Sequence, residues 1–264
     1  MKKYLVIGNP INHSLSPELH NYWFKQNNID AIYDKKKLND NELENIILNV
    51  KQKIISGVNV TVPFKNTVIP YLDELSEEAK VTQAVNTIYL KNKKVVGHNT
   101  DIEGFEKAIN KINFSFNNKK IFILGAGGVV PSIIYASIKM GSSEIMITNR
   151  TEKKAEKLQN IFNNIKLIKW GKIPDFDVII NATSLGLNQD DKINLDYSKA
   201  GKNKLFYDVI YNPSETNFLN VGKKSGNIYE NGKLMFVYQA YSAFKLWHGI
   251  EPTINDETMK LFDQ

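Results

Sequence analysis

Between Lys119 and Thr151 the chain reads KKIFILGAGGVVPSIIYASIKMGSSEIMITNRT, an order of residues that leaves few folds open. An apolar run, Ile121–Leu124, ends in Gly125-Ala126-Gly127-Gly128. Val130, Ile133, Ile134 and Ile138 then recur at the spacing that lays one apolar stripe on a helix. A second run, Glu144–Thr148, closes a strand–helix–strand unit. Glycines between a buried strand and a helix let the backbone approach a pyrophosphate, which sits on the free N–H groups of the helix. The stretch predicts a dinucleotide site, on a Gly-rich turn that alone is a weak signal.

The end of the second strand sharpens that expectation. An NAD site places Asp or Glu there to bond the ribose hydroxyls. Here the position holds Asn149-Arg150-Thr151, with Lys154 one helical turn beyond Arg150. Two cations stand where a 2′-phosphate would lie, and the planar fork of Arg binds phosphate oxygens in pairs. A basic, solvated helix start is the plain alternative; the place in the strand–helix–strand unit favours NADP. Counting G-x-G-x-x-G from Gly125 puts Val130 at the third glycine, with Pro131 acceptable in a first helical turn. This predicts a slightly displaced helix rather than a lost site.

Composition narrows the remaining chemistry. The 264 residues suffice for one sizeable domain or two modest ones. No cysteine is present, which excludes disulfides, thiolate metal sites and thiol nucleophiles. His13, His20, His98 and His248 form no pair at ligand spacing, so no metal centre is expected. The apolar run in MKKYLVIGNP is too short for a signal peptide, and no membrane-spanning run follows, so the expected location is the cytoplasm. The net charge of +6 comes from scattered lysines rather than a basic face interleaved with aromatics, so no nucleic-acid partner is expected.

Along the chain, Lys2–Ile7 reads as a buried strand, and Ser16-Pro17 as the N-cap and first turn of a helix to about Gln26. Ser14 has no such structural use; two hydroxyls beside a helix N-terminus would receive a small carboxylate. A strand at Ala31–Lys36 and a helix at Asn39–Val50 follow, the latter with Leu43, Ile46, Ile47 and Val50 inward. Lys53–Val62 predicts a third strand, and Asn86–Leu90 with Val95–His98 a hairpin. Later strands are expected at Asp177–Ile180 and Leu205–Val209, and helices at Leu234–His248 and Asp256–Phe262. Alternation of this kind implies parallel α/β sheets, one in the first hundred residues and another from Lys119.

Lys65 and Asp101 each follow a predicted strand at its C-terminal end, where α/β proteins place ligands. A Lys–Asp pair can hold a substrate hydroxyl and move its proton while hydride leaves the same carbon. Lys65 also reads as a solvated turn lysine, the usual case for a lone lysine. Thr100 and Glu103 suit a capping box that would put Asp101 in a first helical turn, where negative charge is favoured. From spacing alone the structural reading of Asp101 carries more weight. Asn181–Gly186 and Asp208–Pro213 offer polar groups at strand ends, and Gly232–Gln239 puts Met235 and Gln239 on one helix face.

Taken in order, these segments resemble the shikimate dehydrogenase family over the whole chain. The resemblance rests on Ser14–Pro17 (SLSP), Asn59–Lys65 (NVTVPFK), Ala84–Thr87 (AVNT) and Asn99–Asp101 (NTD). It continues through the Gly-Ala-Gly-Gly turn, Asn149–Thr151 (NRT), Asn181–Ser184 (NATS), Asp208–Pro213 (DVIYNP) and Tyr238–Ala240 (YQA). The resemblance implies a two-domain α/β fold, with an N-terminal α/β substrate domain (residues 1–101 with 235–264) and a Rossmann-like, doubly wound NADP domain (102–234). It implies reversible NADPH-dependent reduction of 3-dehydroshikimate to shikimate, in aromatic amino-acid biosynthesis, with Lys65 and Asp101 as the catalytic pair.

Ser14 and Ser16 would hold the substrate carboxylate, and Thr61, Asn86, Asp101 and Gln239 the ring hydroxyls. The turn Gly125, Ala126, Gly127, Gly128 and Val129 would hold the pyrophosphate; Asn149, Arg150, Thr151 and Lys154 would hold the 2′-phosphate. Thr183, Val209, Tyr211, Gly232 and Met235 would lie near the nicotinamide, with Tyr211 also reaching substrate. The chain departs from the family at Val129-Val130-Pro131, where small residues and then a basic one are usual. The expected assembly is a monomer or homodimer. Two alternatives stay open: a quinate/shikimate dehydrogenase with relaxed NAD or NADP use, and a non-catalytic nucleotide-binding protein on the same fold.

Overall fold

The computed structural model describes residues 1–188, 190–198 and 200–262. The chain divides into two units, Met1–Gly104 with Val237–Gln264, and Phe105–Phe236.

In the first unit the order is β1 (Lys2–Gly8), α1 (Ser16–Gln26), β2 (Ala31–Lys37), α2 (Leu43–Lys51), β3 (Gly57–Val60) and α3 (Phe64–Thr67). Then come β4 (Glu74–Leu75), α4 (Glu77–Thr82), β5 (Thr87–Lys91), β6 (Lys94–His98) and the start of α5 (Asp101–Lys111). The sheet order is β2-β1-β3-β5-β6-β4. Leu43, Ile46, Ile47 and Val50 bury the inner face of α2 against Val58, Val60 and Ile88, as their spacing predicts.

Two expectations change here. The sheet is mixed rather than parallel, because β5 runs antiparallel to β3 and to β6. Asn92 and Lys93 both have positive φ, the turn that joins antiparallel neighbours with a two-residue loop. The third strand is Gly57–Val60, not Lys53–Val62. Lys53 at φ 62° closes α2, and the Ile54 and Ile55 amides donate to the Asn49 carbonyl, so this apolar pair belongs to the helix end.

The second unit contains β7 (Lys120–Leu124), α6 (Val130–Lys139), β8 (Glu144–Thr148), α7 (Glu152–Ile161) and β9 (Ile165–Leu167). It continues with β10 (Val178–Asn181), β11 (Leu205–Asp208), α8 (Asn217–Lys224) and β12 (Ile228–Glu230). The chain ends in α9 (Lys233–His248) and α10 (Asp256–Lys260). All pairings in the sheet β12-β11-β10-β7-β8-β9 are parallel. The chain winds outward from β7 to β9, then returns to lay β10 on the other side of β7. That reversal opens a crevice at the C-terminal ends of β7 and β10. The apolar stripe predicts Ile138 inward on α6, but it is 47% exposed. At about 100° per residue it lies only about 40° from Ile134 but about 80° from Val130 and about 140° from Ile133, at the edge of the stripe, and the buried Ser137 takes the inward place.

Candidate active site

In the first unit, Lys65 lies in the single turn of α3 and Asp101 is the first residue of α5. Lys65 Nζ donates to Asp101 Oδ2 at 2.5 Å, with both side chains buried. An ion pair taken out of water returns little net stability. Asn86 holds the other carboxylate oxygen, donating from Nδ2 to Asp101 Oδ1 at 2.9 Å. The same amide group reaches Gln239 Oε1 of α9 at 3.4 Å.

Thr100, just before α5, is tied to Asn86. The Thr100 backbone N–H and hydroxyl donate to Asn86 Oδ1 at 2.7 and 3.1 Å. Asn86, just before β5, thus ties the start of α5 to the sheet. Asp101 does occupy the first turn, its N–H donating to Asn99 Oδ1.

Ser14 and Ser16 lie together where α1 begins, their hydroxyl oxygens 3.3 Å apart. Ser16 is not an N-cap: it is the first residue of α1, and its own backbone N–H donates to Ser14 Oγ. Pro17 already supplies the position that needs no N–H, so the Ser16 hydroxyl is left for other work. Thr61 follows β3, its N–H on the Ile7 carbonyl. Gly8 allows that approach, since a Cβ there would stand 2.5 Å from Thr61 Cγ2.

The glycine turn of the second unit sits at the crevice between β7 and β10. Gly125 has φ +112°, and a Cβ on it would lie 2.8 Å from the Ala182 carbonyl, so the fold itself demands glycine. Gly127 differs. A Cβ there would meet only that carbonyl, at 3.9 Å, and the residue is exposed. Its bareness serves no partner inside the chain, and suits a phosphate group brought against the backbone. Beyond β8, Asn149 Nδ2 donates to the Thr151 carbonyl at 2.7 Å and shapes the turn. Arg150 and Lys154 are exposed, and among the described residues neither makes an ion pair. These residues fit a phosphorylated dinucleotide.

The ends of β10 and β11 are tied by a buried carboxylate. Asp208 Oδ1 accepts from Asn181 Nδ2 and from the Ile210 N–H, both at 3.0 Å, and Oδ2 accepts from the Thr216 hydroxyl at 2.6 Å. Asn181 Oδ1 in turn accepts from the Thr183 N–H and hydroxyl, at 3.1 and 2.7 Å. Burial pushes the Asp208 carboxyl up to about 6, against three hydrogen bonds that favour its charge. Val209 and Gly232 are brought into contact: a Cβ on Gly232 would stand 2.1 Å from the Val209 carbonyl. Met235 is buried, and Tyr211 stacks on Phe236 with ring centres 4.6 Å apart.

A family profile for the shikimate dehydrogenase substrate binding domain matches residues 6–88, and one for shikimate / quinate 5-dehydrogenase matches residues 106–213. Over 262 residues, 99% of each chain, the sequence is 55% identical to the shikimate dehydrogenase (NADP(+)) of Pelagibacter ubique. The chain belongs to the shikimate dehydrogenase family. Among solved members, the Thermus thermophilus enzyme in complex with NADP(H) and shikimate matches with a TM-score of 0.90 at 28% identity, covering 100% of this chain and 99% of that one. The Listeria monocytogenes shikimate 5-dehydrogenase, in complex with shikimate and NAD, gives 0.90 at 28% identity, covering 98% and 95%.

Within this family member, sequence reasoning missed the polar groups behind Asn86. Asn59 donates from Nδ2 to the Asn86 carbonyl and to Thr87 Oγ1, both at 3.0 Å, and accepts from the Tyr33 hydroxyl at 2.7 Å. The available signal was an asparagine inside the otherwise apolar, fully buried strand β3, which must find partners there.

Proposed function

We propose that this chain catalyses the reversible reduction of 3-dehydroshikimate to shikimate by NADPH, with substrate bound by Met1–Gly104 and Val237–Gln264 and NADP by Phe105–Phe236. The observation that carries this reading is the buried Lys65–Asp101 pair, held by Asn86. The relatives' printed activity and ligands support it.

Bound NADPH supplies the hydride. Lys65 Nζ gives a proton to the ketone oxygen as negative charge develops there, so the carbonyl becomes a hydroxyl and the ammonium is recharged from solvent. Asp101 keeps that ammonium aimed and accepts a hydrogen bond from a ring hydroxyl. Ser14 and Ser16 hold the carboxylate, while Thr61, Asn86 and Gln239 orient the ring. Gly125–Val129 would cradle the pyrophosphate, and Asn149, Arg150, Thr151 and Lys154 the 2′-phosphate. Thr183, Val209, Gly232 and Met235 would line the nicotinamide, with Tyr211 shared by both ligands.

No helix among the described residues is long and apolar enough to cross a membrane. We place the protein in the cytoplasm, where its charged small-molecule ligands circulate, as a monomer or homodimer that sedimentation would distinguish.

The test follows reduced-nicotinamide absorbance with NADP and shikimate. Lys65→Ala should lower kcat by about 100-fold or more while moving the shikimate KM far less. An unchanged kcat refutes the role of Lys65. Relative kcat/KM for NADPH against NADH, and for shikimate against quinate, decides between this reading and a relaxed quinate/shikimate dehydrogenase.

A further inference from the structure

Tyr33 lies in β2 and is buried, yet its hydroxyl is part of a polar chain that ends at the Lys65–Asp101 pair. From Tyr33 Oη the hydrogen bond runs to Asn59 Oδ1 at 2.7 Å, and from Asn59 Nδ2 to the Asn86 carbonyl and Thr87 Oγ1 at 3.0 Å. Thr87 Oγ1 donates to Asn86 Oδ1 at 3.0 Å, and Asn86 Nδ2 to Asp101 at 2.9 Å.

The other side of Tyr33 is locked to α1. Asn21 clasps the Tyr33 backbone twice, accepting from its N–H at 2.9 Å and donating to its carbonyl at 2.8 Å. His20 stacks flat on the Tyr33 ring, 4.4 Å between centres. Burial pushes the phenol well above its ordinary pKa, so the hydroxyl stays protonated as the donor to Asn59.

We infer that Tyr33 is a positioning residue: Asn21 and His20 hold its backbone and ring to α1, the helix whose start bears Ser14 and Ser16, while its hydroxyl holds the Asn59–Asn86 side bearing Asp101. Through it the grip on the substrate carboxylate and the grip on the ring are set at one spacing. Packing alone does not explain the hydroxyl: phenylalanine would fill the same volume and keep the stack on His20. A phenol placed in a core needs a partner, and here that partner, Asn59, bonds the Asn86 carbonyl behind the proposed binding site.

This inference rests on the proposed shikimate dehydrogenase activity, and the experiment separates the two. Tyr33→Phe is compared with wild type in turnover and in calorimetric titration with shikimate, which needs no turnover. Losing the donor to a buried amide predicts shikimate binding weaker by about five- to tenfold and a fall in kcat at saturation, with circular dichroism unchanged. In an Asn59→Ala background the same substitution should change shikimate affinity less than about twofold, because the link is already cut.

Tyr33→Phe within twofold of wild type, full multiplication of the two losses, or a variant that no longer folds each overturns the positioning role. A wild type that binds shikimate but does not turn it over refutes the activity instead, and the titration still decides the role of Tyr33.

Discussion

Asp208→Asn should stabilise the protein at neutral pH, a prediction that follows directly from the surroundings of the carboxylate. The group has no exposure and its three partners are all neutral. Burial raises its pKa from an ordinary 3.8 to about 6. The folded state therefore binds its proton more tightly than the unfolded chain does. Relative stability from this group is full below 3.8 and is lost as pH rises through about 6. A rise of about 2 in pKa, at about 1.4 kcal/mol per pH unit, makes the ionised group cost roughly 3 kcal/mol above pH 6.

Asparagine is nearly the same shape. Its carbonyl oxygen can keep the bonds from Asn181 and Ile210, while its amide donates to Thr216 Oγ1, whose hydroxyl turns. The rise to about 6 is already net of the three hydrogen bonds that favour the ionised form. A gain of up to about 3 kcal/mol at pH 8 is expected, shrinking to nothing near pH 4, where wild type is protonated as well. Urea unfolding of both proteins at the two pH values, with equal m-values, reads this difference. A variant less stable at pH 8, or a difference that does not move with pH, refutes the reasoning.

Two other perturbations test separate parts of the chain. His20 is fully buried, neither ring nitrogen has a hydrogen-bond partner among the described residues, and burial pushes it from 6.5 down to about 3. Its folded pKa is depressed, so below pH 6.5 it drains stability at about 1.4 kcal/mol per pH unit; His20→Phe should remove that slope in urea unfolding between pH 6.5 and 4.5. An unaltered slope contradicts the assignment. Gly127→Ala should leave the melting temperature within about 2 °C, since its Cβ meets nothing closer than 3.9 Å, while raising the NADP KM by about tenfold or more. Equal KM values would show that Gly127 faces no ligand.

The Rossmann-like unit was legible because its strands are buried on both faces and its helix carries a 3.6-residue stripe, both visible locally. The mixed sheet was half legible: the hairpin could be seen, but not that β3 would accept it antiparallel, which depends on partners distant in sequence. Ser16 looked like a cap because Ser-Pro is a common helix start, and only the placed backbone shows Ser14 accepting the N–H instead. Thr100 also has a partner that local rules cannot see: Asn86, 14 residues away, meets it only once β5 is laid on β3.

The two units each set a buried asparagine against a buried aspartate, and the comparison separates structural cost from chemical use. Asn86 Nδ2 meets Asp101 at 2.9 Å, and Asn181 Nδ2 meets Asp208 at 3.0 Å. The difference is the cation: Lys65 stands 2.5 Å from Asp101, and no ammonium or guanidinium is bonded to Asp208 among the described residues. The same substitution should therefore act with opposite sign. Asp101→Asn turns an amide N–H toward either Lys65 or the Asn86 amide, and leaves a buried ammonium without its counter-charge. Removing one partner of a buried pair costs about 3–5 kcal/mol, so this variant should unfold at lower urea at pH 8, where Asp208→Asn unfolds at higher. If both variants shift the same way, the cation does not decide the energetics, and the buried Lys65–Asp101 pair loses its standing as the costly feature of the site.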